Sequence, residues 1–465
     1  MYGFFMNIQR LWRQCQLWLI AVLFVAVNAV FILGVTFGIP LSDEWRWVKE
    51  LLFPLQRGEI GLGQYLLGEY AFLSHSHYLA LLFLWFDYSY LSLDFRYFSY
   101  LGLLFYLSTY VALLVYCKRY LFQDINFSLA PILILSVGYF CITSDFPWLL
   151  VVFEYVYFFI AIITLLMLDS FLQGRVGLKL LLATMLGCLV LADTIGMAAV
   201  FMCLFALLIN AIFVPAKRKP FFLIMAVITA FFVLQYFLLG KGIGISAHSR
   251  VDTLIAMLRN PADTLISFMS IFSQPLVDIN ILKYVVGERN APILQFGLGI
   301  CGFIFTAWML YYYFNERGWQ KSQLPLLFIG YSMMTWALIF ISRYQDYGVS
   351  VMDEPRYVRL FTLIYVGVGI AAFCITHTVQ IRRVFTSAAV ILLCTYSGSA
   401  VFKYWQDQYI ESYFSNAKAE LLKEPIDSQA LAVYIGRCAN DYCTSVVEQM
   451  RAEKLSIFKE SDITR

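Results

Sequence analysis

Repeated apolar runs of about twenty residues constrain this chain more than any other feature of its sequence. They begin near Leu17 and continue to about residue 402. Each run is long enough for a helix to cross the hydrocarbon core of a bilayer, where every backbone polar group has to be paired within the protein. The pattern predicts an all-α, polytopic transmembrane helical bundle.

The composition excludes the main alternatives to a membrane protein. Of the 465 residues, 61% are apolar and 14% are charged, whereas a soluble domain is about half apolar and a quarter charged. Lys and Arg total 33 against 30 acidic residues, so the chain lacks the basic excess of a nucleic-acid-binding protein. An aromatic content of 18% excludes intrinsic disorder.

We predict eleven spans from these runs, with the N-terminus in the cytoplasm. With this orientation every inner turn is basic, as cytoplasmic loops are; the residues are Lys118 and Arg119, Arg175 and Lys179, Lys217 to Lys219, Arg317 and Lys321, and Arg382 and Arg383. The predicted spans are 17–39, 97–117, 126–143, 148–168, 177–191, 194–214, 220–240, 294–314, 323–343, 358–378 and 385–402.

The alternation of inner and outer loops holds only if the apolar stretch 78–93 does not cross the membrane. Asp87 and Asp94 interrupt it, and its aromatic residues suit an interfacial helix of the first outer loop, 40–96. A second outer loop, 241–293, contains an amphipathic stretch from about Val251 to Met269, which we expect on the membrane surface. Whether 78–93 spans fully stays open at this point.

Two units follow from this layout: a membrane domain, residues 1–402, and a small extracytoplasmic C-terminal segment, residues 403–465. The segment contains Cys438 and Cys443. A disulfide between them is possible because such bonds persist outside the cytoplasm. Two free thiols fit the spacing equally well.

The acidic pair Asp43-Glu44 stands where the first span leaves the membrane. Apolar surroundings raise the pKa of a carboxylate, and such a group can accept a proton from an incoming hydroxyl. A helix cap formed by Ser42 or Asp43 explains the same residues structurally. Both interpretations stay open.

Other polar residues of the outer face have two readings as well. His75 and His77 either cap the helix that follows or donate hydrogen bonds to a phosphate or sugar, and their spacing is poor for a metal. Asp145 is either an N-cap or a site acid, and Glu154 follows it within an apolar span, where ionisable residues are costly and usually functional.

Residues 342–359 are predicted to form an outer loop that carries Arg343, Arg356 and Arg359, against the usual inside bias of basic residues. Guanidinium groups suit phosphate recognition, and Tyr344 suits the interface. Pairing with Asp346, Asp353 and Glu354 in a solvated loop is the alternative.

The acidic pair after the first span, the acid at 145 on the same side and the element Ser342-Arg343-Tyr344 together resemble the GT-C glycosyltransferases. This superfamily includes protein O-mannosyltransferases, the lipid A aminoarabinose transferase and bacterial surface-polysaccharide transferases. The resemblance covers roughly residues 15–400 and implies a polyprenyl-phosphate sugar as donor.

The resemblance also implies roles for the site residues. Asp43, and second Glu44, would deprotonate the acceptor hydroxyl. Arg343, and less directly Arg356 or Arg359, would bind the donor phosphate. Acceptor or substrate contacts would come from His75, His77, Asp145 and Tyr344.

The sequence therefore predicts an enzyme of the inner cell membrane that transfers a sugar to a lipid-linked or cell-surface glycan on the outer face. It predicts no cofactor and no metal site, although several outer acids leave a divalent metal open, and the expected partners are the donor, the glycan acceptor and membrane lipids. A polymerase or ligase of undecaprenyl-linked glycans is one alternative. A flippase or transporter of lipid-linked sugars is the other, and such proteins place ionisable residues near the midplane of the bilayer.

Overall fold

The fold is known from a computed structural model, which describes residues 38, 40, 44–67, 78–121, 149–213, 218–239, 250–353, 355–375, 412, 415–427, 429 and 444–459. Two predicted spans, 126–143 and 385–402, lie outside the described residues, and so does 17–39 apart from Gly38.

Within these described ranges the chain is helical and contains no β-strand. Among the described residues, six helical segments are long and apolar enough to cross a membrane, which fits a membrane protein: Arg96–Tyr120, Phe153–Leu172, Ile195–Phe213, Ala291–Asn315, Leu324–Met352 and Tyr357–Cys374. The predicted total of eleven spans stays a prediction.

We number the helices in chain order. In the described part of the chain, four short ones precede the long helices, with a π-helical turn at Val48–Leu52 between the first two: α1 (Glu44–Trp47), α2 (Phe53–Gln56), α3 (Leu62–Leu67) and α4 (Tyr78–Phe86). The remaining helices are α5 (Arg96–Tyr120), α6 (Leu149–Leu172), α7 (Leu178–Leu191), α8 (Asp193–Phe213), α9 (Arg218–Leu239), α10 (Arg250–Arg259), α11 (Pro261–Ser273), α12 (Ile279–Val286), α13 (Ala291–Asn315), α14 (Leu324–Tyr347), α15 (Pro355–Cys374) and α16 (Thr444–Ala452).

Helices α5, α6, α8, α13 and α14 agree with the predicted spans to within a few residues. Helix α7 has 14 residues, a length of about 21 Å, which is short for a hydrocarbon core of about 30 Å. Helix α4 with its π-helical continuation, Asp87–Leu91, is equally short.

The long helices end at two opposite faces of the bundle. At one face the hydroxyl of Tyr116, near the end of α5, donates to Asp169, near the end of α6, at 2.6 Å. Ser322, just before α14, also donates to Asp169 at 3.0 Å. We call this face the Asp169 end, and the opposite face the Arg359 end, because Arg359 lies in the first turns of α15.

Helices α11 and α13 pack backbone against backbone. Gly299 lies on the carbonyl of Met269, and a Cβ at that position would overlap the oxygen. Gly302, about one turn later, faces the carbonyl of Phe272, which a Cβ would approach to 3.0 Å, and it lies closer still to the ring hydroxyl of Tyr365. The two glycines therefore permit an approach that no other residue allows.

The amphipathic stretch from Val251 to Met269 divides at Asn260 into α10 and α11, and α11 ends buried against α13. Its place on the membrane surface stays a prediction. The prediction that Ser342-Arg343-Tyr344 lies in a loop is wrong: α14 continues through Tyr347 and is followed by a 3₁₀-helix at Gly348–Asp353. Contacts with α10 and α11 support this extra turn of helix.

Candidate functional site

Of the two residues in the acidic pair, the structure describes Glu44. It begins α1 and is buried, with 1% of its surface exposed. Trp45 and Trp47 beside it are buried to the same degree. The short helix is thus held inside the protein by its indoles, and Glu44 is withdrawn from solvent.

Six further predicted site residues lie outside the described residues: Asp43, His75, His77, Asp145, Cys438 and Cys443. Arg356 is the second residue of α15, which places its backbone at the Arg359 end. The interpretations given above for these residues stay predictions.

Arg343 and Tyr344 project from the last turns of α14. The Tyr344 hydroxyl donates to the Asp263 carboxylate of α11 at 2.8 Å, which ties the two helices together. The guanidinium of half-buried Arg343 lies 5.8 Å from the centre of the Tyr347 ring, which is exposed. Tyr344 therefore has a packing role, while Arg343 faces the edge of the bundle beside an exposed aromatic ring.

Arg359 forms an ion pair with Glu154 of α6, and both side chains are largely buried, with 2% and 13% of their surfaces exposed. The ring of Tyr155 covers the guanidinium at 4.4 Å. The pair joins α15 to α6, two helices separated in sequence by several others. Both residues stand out in the sequence as charges beside apolar segments, but nothing in a sequence links positions 205 residues apart.

Asp87 is a second buried acid of the first outer loop. Its side chain is 1% exposed. Neither oxygen makes a hydrogen bond of ordinary geometry, although the nearby backbone of Asp94 slightly favours the charged form. Burial, followed by the charge of Asp94, raises the pKa of Asp87 to about 7.

Asp94, by contrast, is paired. Its two oxygens accept hydrogen bonds from the Arg96 guanidinium at 2.8 Å and 2.7 Å. Gly38, at the end of the first predicted span, lies beside Asp94: a Cβ added to this glycine would be 3.5 Å from the Asp94 carboxylate. The exit of the first span is therefore next to the start of α5.

Asp169, at the other end of the bundle, was missed by sequence analysis. Its carboxylate accepts three hydrogen bonds, from the hydroxyls of Tyr116 and Ser322 and from the backbone N–H of Gln323 at 2.6 Å. Gln323 is the N-cap residue of α14, so Asp169 serves as a cap supplied by another helix. The available signal was an acid within the last turn of an apolar span.

Among the residues that the structure describes, no group of three His, Cys, Asp or Glu side chains is arranged to hold a metal ion. The described polar residues of the Arg359 end offer a buried carboxylate at Glu44 and a guanidinium at Arg343, the chemical groups for proton abstraction and for phosphate binding.

No protein-family model, no curated protein and no solved structure matches this chain.

Proposed function

We propose that the protein is an integral-membrane glycosyltransferase of the inner cell membrane. It would take a sugar from a polyprenyl phosphate and transfer it to a lipid-linked or cell-surface glycan at the Arg359 end. This end would face the periplasm, with the N-terminus in the cytoplasm and the C-terminal segment on the periplasmic side.

The depth of the charged residues supports an enzyme that works at an interface. Every Asp, Glu, Lys and Arg in the described helices α5 to α9 and α13 to α15 lies within six residues of a helix end. Glu154 and Arg359 lie about 6–8 Å along their helices, far short of the midplane at about 15 Å. A transporter of lipid-linked sugars is expected to place ionisable groups at the midplane. The observed depth favours chemistry on a lipid-anchored substrate.

The distribution of charge supports the orientation. At the Asp169 end basic residues predominate: Lys118, Arg119, Arg175, Lys179, Lys219, Arg317 and Lys321 accompany the acids Asp169 and Glu316. Cytoplasmic loops carry this excess. The opposite, more acidic end would then be extracytoplasmic, where a flipped polyprenyl-linked donor is found.

Among the three candidate arginines, Arg343 is best suited to bind the donor phosphate. Arg359 is already neutralised by Glu154, and a phosphate arriving there would meet the negative charge of that glutamate. The recorded contact of Arg343 is with the ring of Tyr347, which carries no charge. Exposed Leu254 and Ile255 of neighbouring α10 would accommodate the apolar chain.

The test is sugar transfer by the purified protein in lipid bilayers, with a panel of polyprenyl-phosphate sugars. We expect the wild type to use one donor, Asp43→Asn or Glu44→Gln to reduce kcat at least 100-fold as a lost general base does, and Arg343→Ala to raise KM for the donor about tenfold.

Two control variants match these changes. Glu59→Gln removes an acid of the same loop whose side chain is 52% exposed, and Arg289→Ala removes an exposed arginine of the second outer loop; both should retain full activity. An inert wild type, or equal activity of Glu44→Gln, Asp43→Asn and the controls, would overturn the proposal.

A further inference from the structure

The C-terminal segment of the chain is docked on the first outer loop. The backbone N–H of Ser456 donates to the carbonyl of Ser92 at 2.7 Å, and its hydroxyl donates to the carbonyl of Gly38. The hydroxyl of Tyr88 donates to Glu453 at 2.8 Å. Residues almost 420 positions apart in sequence are therefore in direct contact.

Apolar burial accompanies these hydrogen bonds. Helix α16 buries Val446, Val447 and Met450, and the turn after it buries Leu455, Ile457 and Phe458. All six side chains belong to the same hydrophobic core as the first outer loop and the long helices. A tail with no role beyond solubility would not bury a continuous apolar face.

The two partners meet through unusual backbone conformations. Ser92 and Leu93 have φ values of 63° and 57°, and Lys454 and Ser456 have values of 55° and 56°. Left-handed residues other than glycine cost energy and persist where the surroundings fix them. The contact between the turn at Ser92 and the turn at Ser456, called the joint below, is thus specific in shape and not a general apolar contact.

Gly38 is the point at which this joint reaches the first predicted span. It precedes Asp43 by five positions and Glu44 by six. We propose that residues 444–459 form a clamp that fixes the exit of the first span, and that Ser456 positions the acidic pair through its hydrogen bond to the Gly38 carbonyl. The catalytic meaning of the clamp rests on the proposed function, whereas its effect on the first outer loop does not.

The first experiment measures hydrogen–deuterium exchange of the backbone in wild type and Ser456→Ala, using the full chain in lipid nanodiscs. Loss of the hydroxyl should speed exchange in residues 44–56 about tenfold, because the free energy of one hydrogen bond corresponds to roughly that factor. Exchange in α14 and α15 should stay unchanged. Ser350→Ala is the matched control, since that serine also donates to a carbonyl, that of Tyr347, but outside the clamp.

The outcomes separate the clamp from the proposed function. Unchanged exchange in residues 44–56 of Ser456→Ala overturns the clamp whatever the activity. Faster exchange in a protein that uses no donor supports the clamp and rejects the glycosyltransferase. If the enzyme is active, Ser456→Ala should lower kcat several-fold and leave KM for the donor unchanged, because Arg343 is on a different element.

Discussion

The two ends of the bundle differ in how their buried ionisable side chains are paired. At the Asp169 end one carboxylate accepts three hydrogen bonds from two other segments. At the Arg359 end Glu154 and Arg359 neutralise each other deep in the protein, while Asp87 is buried without a well-formed hydrogen bond. A satisfied carboxylate holds helix ends together, whereas a poorly satisfied one costs stability.

The difference is also one of geometry. Asp169 joins α6 to the start of α14 through a short carboxylate that accepts directly from the backbone N–H of Gln323. At the Arg359 end the connection between α6 and α15 is made by two long side chains under the ring of Tyr155. We therefore expect substitutions to be poorly tolerated at the Asp169 end, and a paired substitution to be tolerated at the Arg359 end.

The largest effect is expected from breaking the ion pair at one partner. Arg359→Met leaves the Glu154 charge buried and should lower the free energy of unfolding by about 3–5 kcal/mol. The double variant Arg359→Met with Glu154→Leu should regain most of that loss, because apolar replacement of a whole buried pair is close to neutral. Denaturant titration in mixed micelles measures both values. A double variant as unstable as the single one would show that this end is as fixed as the other.

Asp169→Leu should lower the free energy of unfolding by roughly 3 kcal/mol, because it leaves three hydrogen-bond donors without an acceptor and each unpaired donor costs about 1 kcal/mol or more. No second substitution of a single residue should restore it, in contrast to the ion pair. Asp346→Asn, an exposed acid of α14, is the control and should change stability by less than about 0.5 kcal/mol. A similarly small loss for Asp169→Leu would remove the distinction between the two ends.

A smaller effect, of opposite sign, is expected at Asp87. Because the pKa of its carboxyl is raised to about 7, the folded protein holds a proton that the unfolded chain releases near pH 4. The stability that this proton contributes is complete below about pH 4. It falls as the pH rises from about 4 to about 7, and stability does not depend on this group above that range.

Asp87→Asn removes this dependence. The variant should match wild type at pH 4 and exceed it at pH 8 by about 2 kcal/mol, allowing for relaxation around the charge. Thermal unfolding at the two pH values gives the comparison, with Asp94→Asn as a control that breaks a paired acid and should destabilise at pH 8. A pH-independent effect of Asp87→Asn would show that its carboxylate is satisfied after all.

The long helices could be predicted from the sequence because hydropathy alone determines which segments avoid water. The run 194–214 became α8, and 323–343 became the first part of α14. The end of α14 was missed because the apolar run stops while the helix continues, supported by Thr253 and Asp263 of other helices. Polar residues at a boundary do not reveal whether neighbouring helices will cover them.

The candidate site was predictable in its residues and not in their pairing. Arg343, Arg359 and Glu154 were visible as charges near apolar segments. That Glu154 neutralises Arg359 and that Ser456 reaches Gly38 are tertiary facts, for which a single sequence carries no signal. The docking of α16 was hidden for the same reason, because a short amphipathic helix does not specify the surface that it covers.

The glycine contacts between α11 and α13 have a practical consequence for spectroscopy. Since Gly299 and Gly302 bring the two backbones into contact, the two helices have little room to shift against each other, and we expect a spin label on each to report a constant distance. The distance between these two labels would serve as an internal reference. A third label at an exposed site of the first outer loop, such as Glu59, would then record the motion of that loop against a fixed frame within the same molecule.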